Sequence, residues 1–279
     1  MRSELETKYR KLKGSLAETG GVLVAYSGGV DSTLLLRAAV EALGDRALAV
    51  TVASQIHPPD EAKEAAAFAQ QIGARHQVLN VDALANEKFV NNPPDRCFHC
   101  KRELFRKLVQ IAKAAGLAVV AEGSNVDDLR DYRPGMRALR ELGIRSPLRE
   151  AELTKQEIRD ISKELGLPTW DRPSMACLAS RVPYNEELTE ERLARVAAAE
   201  GVMRGLGLRQ VRVRDYGQTA RIEVELDALR DIVGEKNRTR IVEELHKLGY
   251  VYVTLDLEGF RSGSMNVGIA EQETANTDS

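Results

Sequence analysis

The sequence predicts an α/β fold in two parts: an N-terminal parallel sheet with helices on both faces, then a smaller α+β domain. Three observations predict it. Short continuous apolar runs alternate with segments of helical period between Val22 and Leu148, the pattern of parallel strands buried on both faces. A glycine-rich turn, Ser27–Ser32, joins the first of these runs to a helix. From Thr189 the grammar changes to a helix, paired strands and further helices. The 279 residues suit two modest domains of roughly 150 residues better than one large one.

Taken in order, residues 1–20 form an amphipathic helix that stops at Gly20-Gly21, and Val22–Tyr26 is a strand. Thr33–Leu43 carries Leu34, Leu35, Ala38, Ala39, Ala42 and Leu43 at helical spacing. Ala47–Ala53 is a second strand, a helix opens at Pro58-Pro59 and runs to Ile72, and His76–Val81 is a third strand. A helix over Cys100–Ala115, a strand over Ala118–Glu122 and a short fifth strand at Ile144–Leu148 complete the first domain's sheet. Thr154-Lys155-Gln156-Glu157 matches a capping box opening a helix that ends near Gly166 and Pro168. Pro168–Glu187 has no period, and a loop of that length inside a fold is commonly functional or a linker. Then come a helix Thr189–Leu206 and strands Gln210–Arg214 and Thr219–Leu226 about the turn Asp215-Tyr216-Gly217. Helices near Asp227–Val233 and Lys236–Leu248 and a strand Tyr250–Leu257 follow. The expected division is 1–170, a linker 171–187, a second domain 188–265 and a frayed polar tail 266–279.

Lys and Arg number 40 against 42 Asp and Glu, a net charge of −2, so there is no basic surplus of the kind a nucleic-acid binder shows. No apolar stretch approaches the roughly 20 residues that span a bilayer. Met1 leads into Arg2, Glu4, Glu6 and Lys8 rather than an apolar signal segment. The expectation is a cytoplasmic protein with no membrane and no nucleic-acid partner. Three cysteines in such a protein argue against a disulfide framework and for reactive or metal-binding thiols.

Ser27-Gly28-Gly29-Val30-Asp31-Ser32 stands between a strand and a helix. Two glycines let the backbone turn its N–H groups onto phosphate oxygens, and the helix start adds partial positive charge and orphan donors. Ser27 and Ser32 add hydroxyls, while Asp31 can cap the helix or help hold a metal on the phosphates. A turn that merely caps a helix is the plain alternative. No Gly-Lys-Ser/Thr follows, so this is not a Walker loop. It resembles the PP-loop of the ATP pyrophosphatases, whose Rossmann-like, adenine-nucleotide alpha hydrolase fold cuts ATP between its α and β phosphates. Glu122-Gly123-Ser124-Asn125-Val126-Asp127-Asp128 follows the fourth strand at the edge where open parallel sheets bind ligands. Arg145-Ser146-Pro147-Leu148 offers a cation and a rigid turn, and Ser54 lies just past the second strand, on the adenine side by position. Ser27, Gly28, Gly29, Val30, Asp31, Ser32, Ser54, Gly123 and Arg145 are therefore the candidate ATP residues, with Mg²⁺ accompanying ATP.

Cys97-Phe98-His99-Cys100 has metal-clip spacing on a loop entering a helix, and Cys177 lies in the long loop Ser174–Arg181. Zinc completed by His99, His57 or His76 is one reading, and isolated thiols are another. A [4Fe–4S] cluster on three cysteines is the third; cysteine ligation usually takes four, so three leave one iron open.

Ala25–Ser32, Glu122–Gly135 (EGSNVDDLRDYRPG), Arg145–Leu148 and Pro173–Arg181 (PSMACLASR) together resemble the LarE family over roughly residues 10–265. The resemblance implies an ATP-dependent sulfur transferase that adenylates a carboxylate of a pyridinium dicarboxylate mononucleotide. Sulfur then replaces AMP, giving a thiocarboxylate for the nickel-pincer nucleotide cofactor. Some members surrender the sulfur of a single cysteine, at the position of Cys177. Others carry three cysteines and a cluster, which here implies Cys97, Cys100 and Cys177 as ligands, Cys177 and Asp31 as the catalytic pair, and sulfide or another sulfur donor as partner. Arg212 and Arg214 alternate on one strand and share a face. With Ser180 and Arg181 they form the expected substrate-phosphate cluster, guanidinium forks matching phosphate oxygens; a solvated strand face is the alternative. Glu200 and Asp231 match acidic positions that the family places near that pocket, for a divalent cation. Trp170 is expected to pack between domains, and the family implies a homo-oligomer. The rival functions are a tRNA thiolase or other PP-loop ligase, and a nucleotide-binding or zinc-stabilised scaffold without catalysis.

Overall fold

Leu5, Tyr9, Leu12 and Leu16 recur at helical spacing and are all buried, so the chain opens with helix α1, Ser3–Ala17. The structure is a computed structural model and describes residues 3–130, 134–261 and 263–266. The elements that follow are β1 (Val22–Ala25), α2 (Val30–Leu43), β2 (Ala47–Ala53), α3 (Glu61–Ile72) and β3 (Arg75–Asn80). Next come α4 (Glu87–Val90), α5 (Arg96–Ala114), β4 (Val119–Ala121), α6 (Gly135–Glu141), α7 (Pro147–Glu150) and α8 (Lys155–Glu164). The remainder is α9 (Glu190–Arg204), β5 (Val211–Tyr216), β6 (Thr219–Val224), α10 (Leu229–Val233), α11 (Glu235–Lys247) and β7 (Tyr252–Leu255). They form two units. One takes the residues up to Ala83 and Asp95–Arg172; the other takes Leu84–Pro94 and everything from Pro173.

The first unit is a parallel sheet in the order β3-β2-β1-β4. Alternation along β1 divides its side chains between two cores. Val22 and Val24 pack with Leu12, Leu34 and Leu35 on one face, and Leu23 packs with Phe105 and Leu108 of α5 on the other. The fifth strand expected at Ile144–Leu148 does not form. Arg145 makes a single parallel bridge to Ala121, and Pro147, which has no N–H to donate, opens α7 instead. The capping box at Thr154 is present: its hydroxyl accepts from the Glu157 N–H, and the Thr154 N–H donates to Glu157 Oε2 at 2.9 Å. Trp170 lies just after α8, in the first unit. It is 37% exposed, with the Lys163 ammonium 4.7 Å from its ring centroid.

In the second unit β5 and β6 pair antiparallel and β7 joins β6 in parallel. Ala199 and Met203 of α9, Ile241 and Leu245 of α11, and Tyr250 close the core over Val211, Val213, Ile222 and Val224. Asp215, fully buried, accepts from Arg192 (2.9 Å), Arg195 (2.6 Å), the Tyr250 hydroxyl (3.0 Å) and the Gly217 N–H (3.0 Å). One carboxylate thus ties α9, the hairpin turn and Tyr250 together. The segment Leu84–Pro94 is held by Asn92, whose amide donates to the Pro183 carbonyl at 2.7 Å, while the Leu188 N–H donates to the Val90 carbonyl at 2.9 Å. The stretch expected as a linker has one 3-10 turn, Leu178–Arg181. Among the described residues no helix is long and apolar enough to cross a membrane. The tail expected to fray lies, from residue 267, outside the described residues, as do 131–133.

Asp215→Ala removes the partner of two guanidinium groups. The expected cost is about 3 kcal/mol or more, read as a lower denaturant midpoint for the transition that reports β5–β7. A loss under about 1 kcal/mol, the worth of an exposed ion pair, would deny Asp215 this role.

Candidate active site

β1 delivers the chain to the C-terminal edge of the first sheet, where Gly28 turns it with φ +70. A Cβ on Gly28 would also stand 3.1 Å from the Ala65 Cβ of α3, so this turn admits only glycine. Gly29 is the N-cap of α2 and supplies no side-chain cap, which leaves first-turn N–H groups for an anion. The Ser27 and Ser32 hydroxyls lie 3.1 Å apart, and the Gly29 N–H has only a long bond, 3.4 Å, to Ser27 Oγ. Val30 sits in the core, so its backbone alone can serve a ligand.

Asp31 does not cap the helix. It lies in the first turn, where the Asn125 amide donates to its Oδ1 at 3.1 Å and the Lys155 ammonium pairs with Oδ2. The segment after β4 can come this close because Gly123 has no Cβ; one would stand 3.1 Å from the Ser32 nitrogen. Glu122, buried beside it, accepts from the Ser124 hydroxyl at 2.7 Å and the Ser146 hydroxyl at 2.5 Å. Asp127 accepts from the Lys155 N–H at 2.8 Å, so the Asn/Asp-rich turn and the start of α8 are one construction around Asp31. Sequence reasoning found the capping box but missed Lys155, which that box places at the first position of α8. It also missed Arg172, which donates to the Gly28 carbonyl at 3.3 Å.

Ser54 follows β2 at the same edge, with Oγ 2.9 Å from His57 Nδ1; burial pushes the His57 pKa below its ordinary value, so the ring is neutral near pH 7. Arg145 is used elsewhere. Its guanidinium pairs with Glu150 and donates to the Ser15 carbonyl near the end of α1. With Gly116, Ala118 and Val119 it lines a groove at the N-terminal end of β4, so these contacts do not bring it to the phosphate loop.

Cys97 and Cys100 are not on a loop: α5 begins at Arg96 and holds both, one turn apart, on neighbouring faces of its first turn. All three cysteines are half-buried thiols outside any disulfide. A thiol pair at a helix start suits an anionic, thiolate-bound group. Among the described residues no three His, Cys, Asp or Glu side chains form a metal-binding group. His57 and His76 are occupied by hydroxyl partners, Ser54 and Thr51.

In the second unit the backbone around Cys177 is fixed by its own carbonyl. That oxygen accepts from the Ser180 N–H (3.0 Å), the Ser180 hydroxyl (2.8 Å) and Arg181 Nη1 (3.0 Å). Arg181, buried, forks onto Glu200 at 2.7 and 3.1 Å. Burial opposes the Glu200 charge, but Arg181 outweighs it and holds the carboxyl below its ordinary range. Glu200 also accepts from the Val213 N–H at 3.2 Å. It is therefore an internal counter-ion rather than an open cation ligand, and Asp231 is exposed on α10 and belongs to no three-ligand group among the described residues.

Arg212 and Arg214 do share a face of β5, and that face is buried rather than solvated. Arg214 pairs with Glu223 at 2.6 Å and donates to the Ser180 carbonyl at 2.9 Å. Arg212 has no carboxylate partner among the described residues. It donates to the carbonyls of Ser174 and Val211 at 2.5 and 2.7 Å and lies 5.1 Å from the Phe260 ring centroid. Burial and then the charge of Arg181 push its pKa down to about 10, which still leaves it charged near pH 7. The nearby Glu200 and Glu223 carboxylates oppose that fall without pairing directly with it; a buried cation with no direct ion pair is a place for an anion.

Gly28→Ala is expected to cost about 1–2 kcal/mol in stability from the left-handed backbone alone and to weaken ATP binding about tenfold, read by denaturation and calorimetric titration; wild-type affinity would exclude the turn from binding. Glu200 stabilises the fold above its unfolded pKa of about 4.3 and loses that contribution as pH falls through its lower folded value. In Glu200→Gln that acid-side loss is expected to shrink, with lower stability at pH 7. An unchanged acid limb would assign the acid sensitivity to other carboxylates.

The family model described as NAD synthase matches residues 5–102, which contain the glycine turn. The chain is 45% identical to an uncharacterized protein of Synechocystis sp., over 94% of this chain and 98% of that one. It is 39% identical to the pyridinium-3,5-bisthiocarboxylic acid mononucleotide synthase of Lactiplantibacillus plantarum, over 97% of this chain and 98% of that enzyme. An uncharacterized protein of Methanocaldococcus jannaschii is 33% identical over 91% and 98%. Near-complete coverage at this identity joins both units and the glycine turn to one lineage: the chain belongs to the LarE family of PP-loop, ATP-dependent sulfur transferases.

Proposed function

We propose that the protein adenylates a carboxylate of a pyridinium dicarboxylate mononucleotide and replaces the AMP by sulfur, giving the thiocarboxylate. The observation that carries this reading is that one unit has an uncapped phosphate loop at Gly28–Ser32 and the other a buried guanidinium, Arg212, bonded only to carbonyl oxygens. One suits a nucleoside triphosphate and the other a substrate phosphate. The printed name of the Lactiplantibacillus plantarum relative supplies the substrate class.

The loop N–H groups and the start of α2 receive the triphosphate, and Asp31 would hold its Mg²⁺ through oxygens it shares with Asn125 and Lys155. A substrate carboxylate oxygen attacks the α-phosphorus, the bond to the β-phosphate oxygen breaks, and pyrophosphate leaves with the electron pair. The acyl adenylate has AMP as a leaving group that a carboxylate lacks. A sulfur anion then adds to the acyl carbon, the C–O bond to AMP breaks, and the thiocarboxylate remains. Arg212, with Arg181, Arg214 and Ser180 around it, holds the mononucleotide phosphate.

A [4Fe–4S] group would be held by Cys97, Cys100 and Cys177, and when bound it supplies sulfide already deprotonated by metal coordination. The thiol pair in the first turn of α5 supports this. The three-donor clamp on the Cys177 carbonyl supports a second reading, in which the Cys177 thiolate is itself the sulfur source: it displaces AMP to form a thioester, and loss of its Cα proton with cleavage of its Cβ–S bond then releases the thiocarboxylate and leaves dehydroalanine at 177.

Cys177→Ala is expected to abolish thiocarboxylate formation while leaving pyrophosphate release from ATP and acceptor; retained sulfur transfer would remove Cys177 from the reaction. Iron and acid-labile sulfide on anaerobically prepared protein separate the two sulfur readings: about four irons per chain favour the cluster. No iron together with loss of the Cys177 sulfur after turnover favours the sacrificial route. Salt-sensitive tRNA binding, with no turnover of the mononucleotide, would favour the tRNA thiolase instead.

A further inference from the structure

Peptide 28–29 lies between two glycines, and Gly28 already sits at φ +70, so beyond the long bond, 3.4 Å, from the Gly29 N–H to Ser27 Oγ little in the local chain opposes its rotation. In a trans peptide the carbonyl and the N–H point in opposite directions. Whatever holds the Gly28 oxygen therefore decides where the Gly29 N–H points, and Gly29 is the N-cap residue of the helix offered to the triphosphate.

Arg172 holds that oxygen, from Nη1 at 3.3 Å. The arginine is itself held from several sides. Its Nη2 pairs with Glu64 of α3, one residue before the Ala65 that Gly28 touches. Its backbone carbonyl accepts from Arg159 Nη2 of α8 at 2.9 Å, and its N–H donates to the Thr169 carbonyl at 3.0 Å. Its guanidinium lies 5.6 Å from the Phe68 ring centroid, and its side chain is 16% exposed. Such an arginine is a fixed part of the scaffold rather than a surface cation in search of a phosphate.

We infer that Arg172 is a positioning residue of the nucleotide site: by anchoring the Gly28 carbonyl it keeps the Gly29 N–H turned toward the triphosphate. This rests on the functional reading above. Glu64 shares the role at one remove, because it fixes the fork of Arg172 without touching the loop. The dependence on Glu64 separates positioning from direct phosphate binding. A guanidinium that bound phosphate itself would be freed by loss of its carboxylate and would bind ATP more tightly. One that anchors a carbonyl would be loosened and would bind ATP less well.

The test is calorimetric titration of Mg-ATP into the full chain, with steady-state KM and kcat for pyrophosphate release. Arg172→Ala is expected to weaken ATP binding about tenfold, the loss of a charge-assisted hydrogen bond, and Glu64→Gln to weaken it about threefold. The two together should add little beyond Arg172→Ala alone. Arg172→Lys, a cation without the fork, should recover little of the loss. Wild-type affinity in Arg172→Ala, or tighter binding in Glu64→Gln, overturns the inference, and unchanged thermal unfolding of Glu64→Gln keeps its result free of folding effects. Absence of ATP binding by the wild-type protein would instead overturn the functional reading, and this inference with it.

Discussion

The left-handed turn at Gly28, pressed against Ala65, is the constraint from which the first unit's site is built. It brings the end of β1 directly into α2 with no side chain between loop and α3, and it leaves the helix start without a cap. Each neighbour then meets the loop in a complementary way. Gly123 permits close approach from β4, Asn125 and Lys155 take the Asp31 carboxylate, and Glu122 fixes the serines beside them. The loop is open toward ligand because its other sides are already occupied by protein.

The second unit solves a different problem, the burial of several guanidinium groups. Arg181 is matched by Glu200, and Arg214 with Arg221 by Glu223. Arg212 is left to carbonyl oxygens and an aromatic face. Arg181, Arg214 and Arg221 thus have direct carboxylate partners, and Arg212 has carbonyl oxygens in their place. The same arginines fix the main chain near Cys177, through the Ser180 and Cys177 carbonyls.

Local patterns made much of this readable in the sequence. The glycine turn between an apolar run and a helix, the Thr154 capping box and the alternation of Arg212 with Arg214 are all short-range signals, and the structure contains each of them. What escaped depends on contacts between distant parts of the chain. Lys155 reads as an ordinary first-turn residue until its partner 124 positions away is known. Arg172 reads as a loop residue until Gly28 is found against it. Arg145 shows the same limit: its residue type and position read from the sequence, but the direction of its long side chain is set by Glu150 and Ser15. The cysteine pair reads as part of a loop because α5 begins at Arg96 behind an N-cap residue, Asp95, that makes no side-chain cap to announce it.

Leu84–Pro94 belongs to the second unit although most of that unit lies after Arg172. During synthesis these eleven residues emerge long before Val182, Pro183 and Leu188, the residues that receive them. Until then the buried amide of Asn92 and the carbonyl of Val90 must be satisfied by water, and the second unit cannot close. Its assembly waits for a contact that spans the whole second half of the first unit, a non-local closure of the kind that slows folding. A cut at Arg172 would therefore yield two incomplete fragments: one carrying a strap with nothing to fasten, the other a fold with its fastening removed.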